Sequence, residues 1–82
     1  MPKTTPKVKV YSTKYCAWCS RAKEFLTEHQ IAYEELRVDE DAKARDEMIE
    51  KSGQMGVPVL DINGTIIIGY DVFRIKKALN IG

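Results

Sequence analysis

The chain has 82 residues, of which 13 are basic and 12 acidic, so its formal net charge is +1. This length corresponds to one small domain, since domains usually contain about 100–200 residues. The near-neutral charge argues against a nucleic-acid-binding protein, and no apolar run approaches the ~18 residues of a membrane span. We therefore expect neither a nucleic acid nor a membrane as a partner. We also expect the protein to be a monomer.

The N-terminal segment predicts where the domain begins and in which compartment it works. Residues 1–6 contain two prolines and, apart from Met1, no large apolar side chain. We therefore expect a flexible tail at 1–6 and a single domain at 7–82. Because the segment lacks the hydrophobic stretch of a signal peptide, we predict a cytoplasmic protein, in which two cysteines should not form a permanent disulfide.

The first half of the chain alternates between strand and helix patterns. Residues 7–12 and 31–38 alternate apolar and polar side chains, as strands do. Residues 17–30 instead have apolar side chains at helical spacing, with Cys19 at the flank of the apolar stripe. The stripe consists of Trp18, Ala22, Phe25 and Leu26. Because a helix returns the chain, the two strands are predicted to be parallel.

Residues 39–53 are predicted to form a second helix. Acidic residues at its start would cap it and interact favourably with the helix dipole. These residues are Asp39, Glu40 and Asp41. Gly53 stands where a left-handed C-terminal cap belongs. The side chains predicted to face the core are Ala44, Met48 and Ile49.

A hairpin and a last helix are predicted in the remaining residues. Segments 59–62 and 65–68 favour strands, and Asn63-Gly64 between them supplies the positive φ angles of a type I′ turn. The last helix is predicted over 72–79. Its cap and core side chains would be Asp71, Val72, Ile75 and Leu79. The order β-α-β-α-β-β-α predicts an α/β fold, a four-stranded mixed sheet with helices on both faces.

Two cysteines, Cys16 and Cys19, stand at the junction of the first strand and the first helix. At this spacing on a helical turn the Cβ atoms are ~5–6 Å apart, so a small closure suffices for a disulfide. Cys16 falls at the helix start, where free N–H groups and the dipole stabilise an anion. We therefore predict a Cys16 pKa below the ~8.5 of a free cysteine, while Cys19 stays a thiol and acts as its resolving partner.

The same cysteines could instead form half of a zinc site, which needs four ligands. The other soft candidate is His29, ~15 Å along the helix from Cys19. A zinc or iron–sulfur site would therefore need two cysteines from each chain of a dimer. The spacing alone leaves this non-enzymatic interpretation open.

Pro58 precedes the predicted strand at 59–62, and a proline at a strand's first residue is well tolerated. The alternative is a cis bond between Val57 and Pro58. It would turn the backbone N–H and C=O of Val57 outward beside the cysteines, where they would pair with an extended peptide substrate. The local pattern leaves both interpretations open.

Together these motifs resemble the glutaredoxins. The similarity extends from about Lys7 to Leu79 and includes Tyr11-Ser12-Thr13, Cys16-Ala17-Trp18-Cys19, residues 45–53, Val57-Pro58 and Ile68-Gly69-Tyr70-Asp71. The chain is most similar to small glutaredoxin-like proteins of the YruB type and to the redoxins that serve ribonucleotide reductase. The resemblance implies a thioredoxin fold, a cis bond at Pro58, Cys16 as nucleophile and Cys19 as resolving cysteine.

The resemblance also implies a glutathione-binding groove beside the nucleophile. Its residues would be Lys14, Tyr15, Trp18, Val57, Pro58, Gly69, Tyr70 and Asp71. The N–H groups that open the last helix would bind the γ-glutamyl carboxylate, and the Asp71 side chain would pair with the ammonium group. Five places depart from the family's pattern: Thr13 replaces a lysine, Ala17-Trp18 replaces Pro-Tyr, Gly56 replaces a threonine, Gly69-Tyr70-Asp71 shortens Gly-Gly-x-Asp-Asp, and Glu50 adds a negative charge.

We therefore predict a dithiol–disulfide oxidoreductase that reduces protein disulfides or glutathione mixed disulfides through Cys16 and Cys19. Glutathione as co-substrate, or alternatively a thioredoxin-reductase-like flavoprotein, would reduce the oxidised pair again. Ribonucleotide reductase is a candidate protein substrate. No metal or tightly bound organic cofactor is expected.

Overall fold

Strands and helices follow one another in the predicted order. The computed structural model describes residues 6–81, so residues 1–5 of the predicted tail and residue 82 lie outside it. The elements are β1 (Val8–Ser12), α1 (Ala17–Glu28), β2 (Glu34–Arg37), α2 (Ala42–Ser52), β3 (Val59–Ile62), β4 (Thr65–Ile68) and α3 (Val72–Leu79). None of the helices among the described residues has the length and hydrophobicity needed to cross a bilayer.

The four strands form one mixed sheet in the order β2-β1-β3-β4. β1 and β2 are parallel, with Lys9 opposite Glu34, because α1 returns the chain to the same end of the sheet. β1 pairs with β3, and β3 with β4, in antiparallel fashion. Asn63 and Gly64 join β3 to β4 with φ angles of 52° and 92°, as the predicted type I′ turn requires.

Each face of the sheet has its own hydrophobic core. Alternate residues of a strand point to opposite faces, so Val8 and Val10 pack with α1 and α3, whereas Tyr11 packs with α2. On the α2 side Ala44 and Met48 are buried, as predicted. The predicted arrangement of helices on both faces is confirmed.

The end of α1 differs from the prediction. The helix ends at Glu28 instead of residue 30. Gln30 has a φ of 59°, and this turn lets Ile31 N–H donate to Leu26 O at 2.8 Å. The left-handed conformation of Gln30 therefore ends α1. The spacing of apolar residues does not mark this end.

Two further boundaries are corrected. β2 contains only Glu34–Arg37 instead of 31–38, because only these residues pair with β1. α2 begins at Ala42 instead of residue 39, because Asp41 is its N-cap and its side chain accepts hydrogen bonds from the first turn. At the other end Gly53, with a φ of 73°, is the predicted left-handed cap.

Candidate active site

Cys16 is the N-cap residue of α1, which brings its sulfur to the helix terminus. Its backbone is extended (φ −125°, ψ 108°), and its carbonyl accepts a hydrogen bond from Ser20 N–H at 3.2 Å. Its Sγ accepts a hydrogen bond from the backbone N–H of Cys19 at 3.2 Å. The predicted placement is confirmed, and a thiolate here faces a backbone donor and the positive end of the helix dipole.

Cys19 lies one turn inside the helix and is only 1% exposed. Burial raises the pKa of its thiol to about 12, and the hydrogen bond with Cys16 adds to the effect. A hydrogen bond with the Thr13 backbone and the positive charge of Lys23 act in the opposite direction without cancelling it. Cys19 therefore stays a thiol at neutral pH, next to the half-buried Cys16 sulfur.

Trp18 points away from the core, contrary to the predicted apolar stripe. Its side chain is 59% exposed, whereas Cys19 is buried. The buried face of α1 is defined by Cys19, Ala22 and Leu26, at i, i+3 and i+7, which leaves Trp18 on the outer side. Its ring stacks on Tyr70, with centroids 6.1 Å apart and an interplanar angle of 27°. Trp18 therefore forms one side of the site, together with Tyr70.

Val57 and Pro58 bring a second stretch of backbone to the cysteines. The bond between them is cis, as the family resemblance implied. Val57 O lies 4.0 Å from Cys16 Sγ, and Pro58 O accepts a hydrogen bond from Gly69 N–H at 2.8 Å. A shallow groove of about 280 Å³ results, lined by Trp18, Val57, Pro58, Gly69 and Tyr70.

Three residues predicted to bind glutathione lie outside the lining of this groove. Asp71 is the N-cap of α3: its Oδ1 accepts a hydrogen bond from Arg74 N–H at 3.2 Å, and its Oδ2 lies 3.6 Å from Arg74 Nε. Tyr15 is 89% exposed, and Lys14 Nζ lies 5.5 Å from the centroid of the Tyr15 ring. Lys14 and Tyr15 flank the nucleophile along the chain, while Asp71 follows the wall formed by Tyr70.

Asp39 anchors the loop before Cys16, a contact that the sequence did not predict. Its Oδ2 accepts a hydrogen bond from Lys14 N–H at 3.0 Å, and Arg37 donates to both carboxylate oxygens at 3.0 and 2.9 Å. The hydrogen bonds from Arg37, and next the one from Lys14 N–H, hold the pKa of Asp39 at about 2. The prediction that Asp39 caps α2 was wrong, because Asp41 has that position.

His29 does not join the cysteines as a metal ligand. Its Nδ1 lies 2.9 Å from Phe25 O, and its ring packs against the Phe25 ring with centroids 4.2 Å apart. Within residues 6–81, no three His, Cys, Asp or Glu side chains come together as a metal site requires. A zinc site built from one chain is therefore not formed by the described residues.

The fold and the cysteine pair define a class of protein, the thioredoxin-like proteins. A solved mutant of the thioredoxin-like protein BC3987 matches this structure with a TM-score of 0.87 and 33% sequence identity. The match covers 93% of this chain and 97% of that one. The predicted thioredoxin fold is confirmed.

The family within this class follows from the sequence comparisons. A family model described as Glutaredoxin matches residues 8–67. An uncharacterized glutaredoxin-like 8.6 kDa protein in the rubredoxin operon of Clostridium pasteurianum is 42% identical over 72 residues, 88% of this chain and 96% of that protein. The glutaredoxin-like protein NrdH of Lactococcus lactis is 41% identical over 73 residues, 85% of this chain and 96% of that protein. The chain belongs to the glutaredoxin family and is a thiol–disulfide oxidoreductase that acts with redox partners and disulfide substrates.

Proposed function

We propose that this chain is a dithiol electron carrier in which Cys16 attacks the substrate and Cys19 resolves the intermediate. The Cys16 thiolate attacks one sulfur of the substrate disulfide, forms a mixed disulfide with it, and displaces the other sulfur as a thiolate, which takes up a proton. Cys19 then loses its proton and attacks the Cys16 sulfur. The Cys16–Cys19 disulfide forms and the second substrate thiol leaves, so two electrons pass to the substrate.

The unequal surroundings of the two sulfurs are the observation that supports these roles. Thiol–disulfide exchange requires a thiolate that the substrate can reach. Cys16 is half-buried, at a helix terminus, with Val57 O 4.0 Å from its sulfur. Cys19 is 1% exposed, and its pKa is raised to about 12. Cys19 therefore meets neither requirement, whereas the Cys16 sulfur is accessible at the helix terminus.

We further propose glutathione as the thiol that reduces the oxidised pair. The groove beside Cys16 supports this choice, since a cysteinyl peptide that pairs with the Val57 backbone would bring its own sulfur next to Cys16. The stacked Trp18 and Tyr70 rings would flank the bound tripeptide, and the N–H groups that open α3 would bind its γ-glutamyl carboxylate. We assign the remaining residues of the groove and its flanks to glutathione binding as well: Lys14, Tyr15, Pro58, Gly69 and Asp71.

A thioredoxin-reductase-like flavoprotein is the second candidate electron donor. The Asp71 carboxylate, assigned to the ammonium group of glutathione, already accepts a hydrogen bond from α3 and faces Arg74. Glu50 is exposed on α2, where the family resemblance implies the glycine carboxylate of glutathione. Both features weaken the glutathione site without affecting exchange at Cys16. Ribonucleotide reductase is the candidate protein substrate in this case, as the resemblance implies.

Coupled assays with two donors test the proposal. The protein and hydroxyethyl disulfide are mixed with NADPH, glutathione and glutathione reductase, or with NADPH and thioredoxin reductase alone. We expect rapid NADPH consumption in the first mixture, and none with the Cys16→Ser variant as the control. Consumption in the second mixture alone would assign the flavoprotein as donor. Consumption in neither would contradict the proposal, as would stoichiometric zinc or iron on cysteines that fail to cycle with dithiothreitol.

The proposed cycle stores its electrons in the two cysteine sulfurs, so it requires no tightly bound cofactor. A carrier of this kind belongs in the cytoplasm, where cellular reductants keep thiols reduced. Each step uses residues of one chain, so we propose that the monomer is the active form.

A further inference from the structure

The two edges of the sheet differ in chemistry. Proteins commonly protect an edge strand with charged side chains, because its free backbone groups would otherwise pair with another chain. The edge strand β2 has three charged residues in four: Glu34, Glu35 and Arg37. The opposite edge strand, β4, reads Thr-Ile-Ile-Ile and has none. The β4 edge therefore lacks protection by charged side chains.

The hairpin register determines which backbone groups of β4 face outward. Hydrogen-bonded and non-hydrogen-bonded pairs alternate along an antiparallel ladder. Gly69 N–H donates to Pro58 O at 2.8 Å, so the pairs of residues 60 with 67 and 62 with 65 are hydrogen-bonded to β3 as well. The N–H and C=O groups of Ile66 and Ile68 consequently point away from β3. Within residues 6–81 the sheet order places no strand on that side.

A cleft of about 610 Å³ lies between β4 and α3. Ile66 and Ile67 line one side, and Phe73 lines the other with a side chain that is 77% exposed. A strand added to β4 would place alternate side chains in this cleft. Every second side chain of such a segment would therefore enter the cleft, and the others would lie on the opposite face, beside Ile66 and the exposed Ile68.

The charge of α3 indicates which partner fits. The helix contains three basic and no acidic residues, and Arg74 and Lys77 line the cleft. If a second copy of this chain paired through β4, the basic helices of both copies would approach each other and repel. An acidic segment would be attracted instead. Because β4 leads directly into Gly69 and Tyr70, such a segment would lie beside the groove at Cys16.

We propose that the free edge of β4, together with the cleft against α3, binds an extended segment of a partner protein in which apolar and acidic residues alternate. The segment adds a fifth strand through the backbone of Ile66 and Ile68. Its carboxylates face Arg74 and Lys77 in the cleft, and its apolar side chains lie on the opposite face, beside Ile66 and Ile68. That the partner is also a disulfide substrate rests on the proposed function, whereas strand addition itself does not.

Binding of a cysteine-free peptide to the reduced full-length protein tests this inference independently of redox activity. The probe is a fluorescein-labelled eight-residue peptide of alternating valine and aspartate, and the control peptide has lysine for aspartate. We expect the aspartate peptide to bind and to slow hydrogen exchange at the Ile66 and Ile68 amides at least about tenfold. The Ile67 amide, already bonded to β3, should change little.

Charge-reversal variants identify the contacts. The variant with Arg74→Glu and Lys77→Glu should bind the aspartate peptide at least about tenfold more weakly. Glutamate at position 74 is compatible with the start of α3, three residues after its Asp71 cap. The matched control reverses Lys43 and Arg45, two exposed charges on α2, to glutamate and should bind normally.

Three outcomes would overturn the inference. The first is equal binding of the aspartate and lysine peptides, or no binding of either. The second is exchange protection at the Cys16 groove instead of at Ile66 and Ile68. The third is protection of these two amides in the free protein that rises with protein concentration, because a second copy would then occupy the edge. Failure of the donor assays would leave all three measurements interpretable, since the peptide contains no sulfur.

Discussion

The two cysteines have different surroundings although they belong to the same helical turn. Cys16 is the N-cap of α1 and has an extended backbone, and its sulfur accepts a hydrogen bond from the backbone N–H of Cys19. Three residues later, Cys19 points into the core between α1 and the sheet. The position of each sulfur relative to the helix terminus therefore separates an accessible thiol from a buried one.

Alkylation at pH 6 should distinguish the two sulfurs in the reduced protein. Iodoacetamide reacts with thiolates, and burial holds the pKa of Cys19 near 12, so we expect Cys16 to react at least about tenfold faster. Peptide mass spectrometry over a time course measures both rates. The Cys16→Ser variant is the control and should remain almost unlabelled. If Cys19 were labelled first, the assignment of the two roles would be wrong.

The residue contacts also show the limit of sequence-based prediction at the site. Cys16 was placed correctly because an N-cap position depends on a few neighbouring residues. The hydrogen bond from Lys14 N–H to Asp39 joins residues far apart along the chain and depends on the parallel pairing of β1 with β2. No local pattern contains that information, and the same holds for the stacking of Trp18 on Tyr70.

Among the elements, those defined by turn chemistry were predicted best. The Asn63-Gly64 turn determines where β3 ends and β4 begins, and the observed bounds of both strands equal the predicted ones. The Asp71 cap likewise determines the start of α3. β2 was predicted twice as long as observed, because its length depends on its pairing with β1 and only residues 34–37 pair. Local residues thus determine where a tight turn or a cap lies, and tertiary pairing determines how far a strand extends.

Lys51 joins three elements on the α2 face of the sheet. Its Nζ donates to Asp61 Oδ2 at 2.7 Å, to the Tyr11 hydroxyl at 3.1 Å and to Glu47 Oε1 at 3.3 Å. The Tyr11 hydroxyl donates in turn to Glu47. The hydrogen bond with Asp61 is the main cause of a raised Lys51 pKa. The C-terminal turn of α2, which leads to the Val57–Pro58 segment, is thereby fixed to β1 and β3.

Replacement of this lysine should destabilise the fold. Lys51→Met leaves Asp61 Oδ2 without its cationic partner, while Oδ1 still accepts a hydrogen bond from Gly64 N–H. Because the Asp61 side chain is only 13% exposed, we expect a loss of about 1–3 kcal/mol in the free energy of unfolding. Urea denaturation at pH 7 measures it. Lys43→Met, an exposed position on the same helix, is the matched control and should change the value by less than about 0.5 kcal/mol. Equal losses in the two variants would mean that the Lys51 contacts add no stability.

For the whole molecule, the order of strand and helix patterns in the sequence was enough to predict the layered α/β fold. It was not enough to predict the shape of the site. The period of apolar residues changes from two to 3.6 and back, which predicts the sequence of elements. The groove forms where the end of β4, the Val57–Pro58 bond and the first turn of α1 meet. Only the complete sheet brings these segments together, so only the family resemblance pointed to them.

Acid should weaken the folded state in a defined range of pH. Hydrogen bonds from Lys23 and then Ser12 lower the pKa of Glu35, and those from Arg37 lower the pKa of Asp39 from 3.8 to about 2. A carboxyl whose pKa is lower in the folded state stabilises that state above its unfolded pKa, and this stabilisation is lost as the pH falls through the folded pKa. The free energy of unfolding should therefore fall between about pH 4.5 and pH 2.

The Glu35→Gln variant tests this pH dependence. Its stability should lie below that of the wild type at pH 7, and the difference should shrink as the pH falls and Glu35 takes up a proton. Glu24→Gln, at an exposed position on α1, is the control and should follow the wild type at every pH. Thermal unfolding at a series of pH values measures the difference. A gap between Glu35→Gln and wild type that stayed constant with pH would contradict the expected role of the Lys23–Glu35 pair.

The most direct measurement is the capture of the mixed disulfide by intact-mass spectrometry. Reduced Cys19→Ser protein is mixed with hydroxyethyl disulfide, and the modified residue is located by peptide mapping. We predict a stable adduct of one substrate half on Cys16 and no comparable adduct on the Cys16→Ser variant. A lasting adduct on Cys19 of the Cys16→Ser variant, formed as fast as the one on Cys16, would contradict the account.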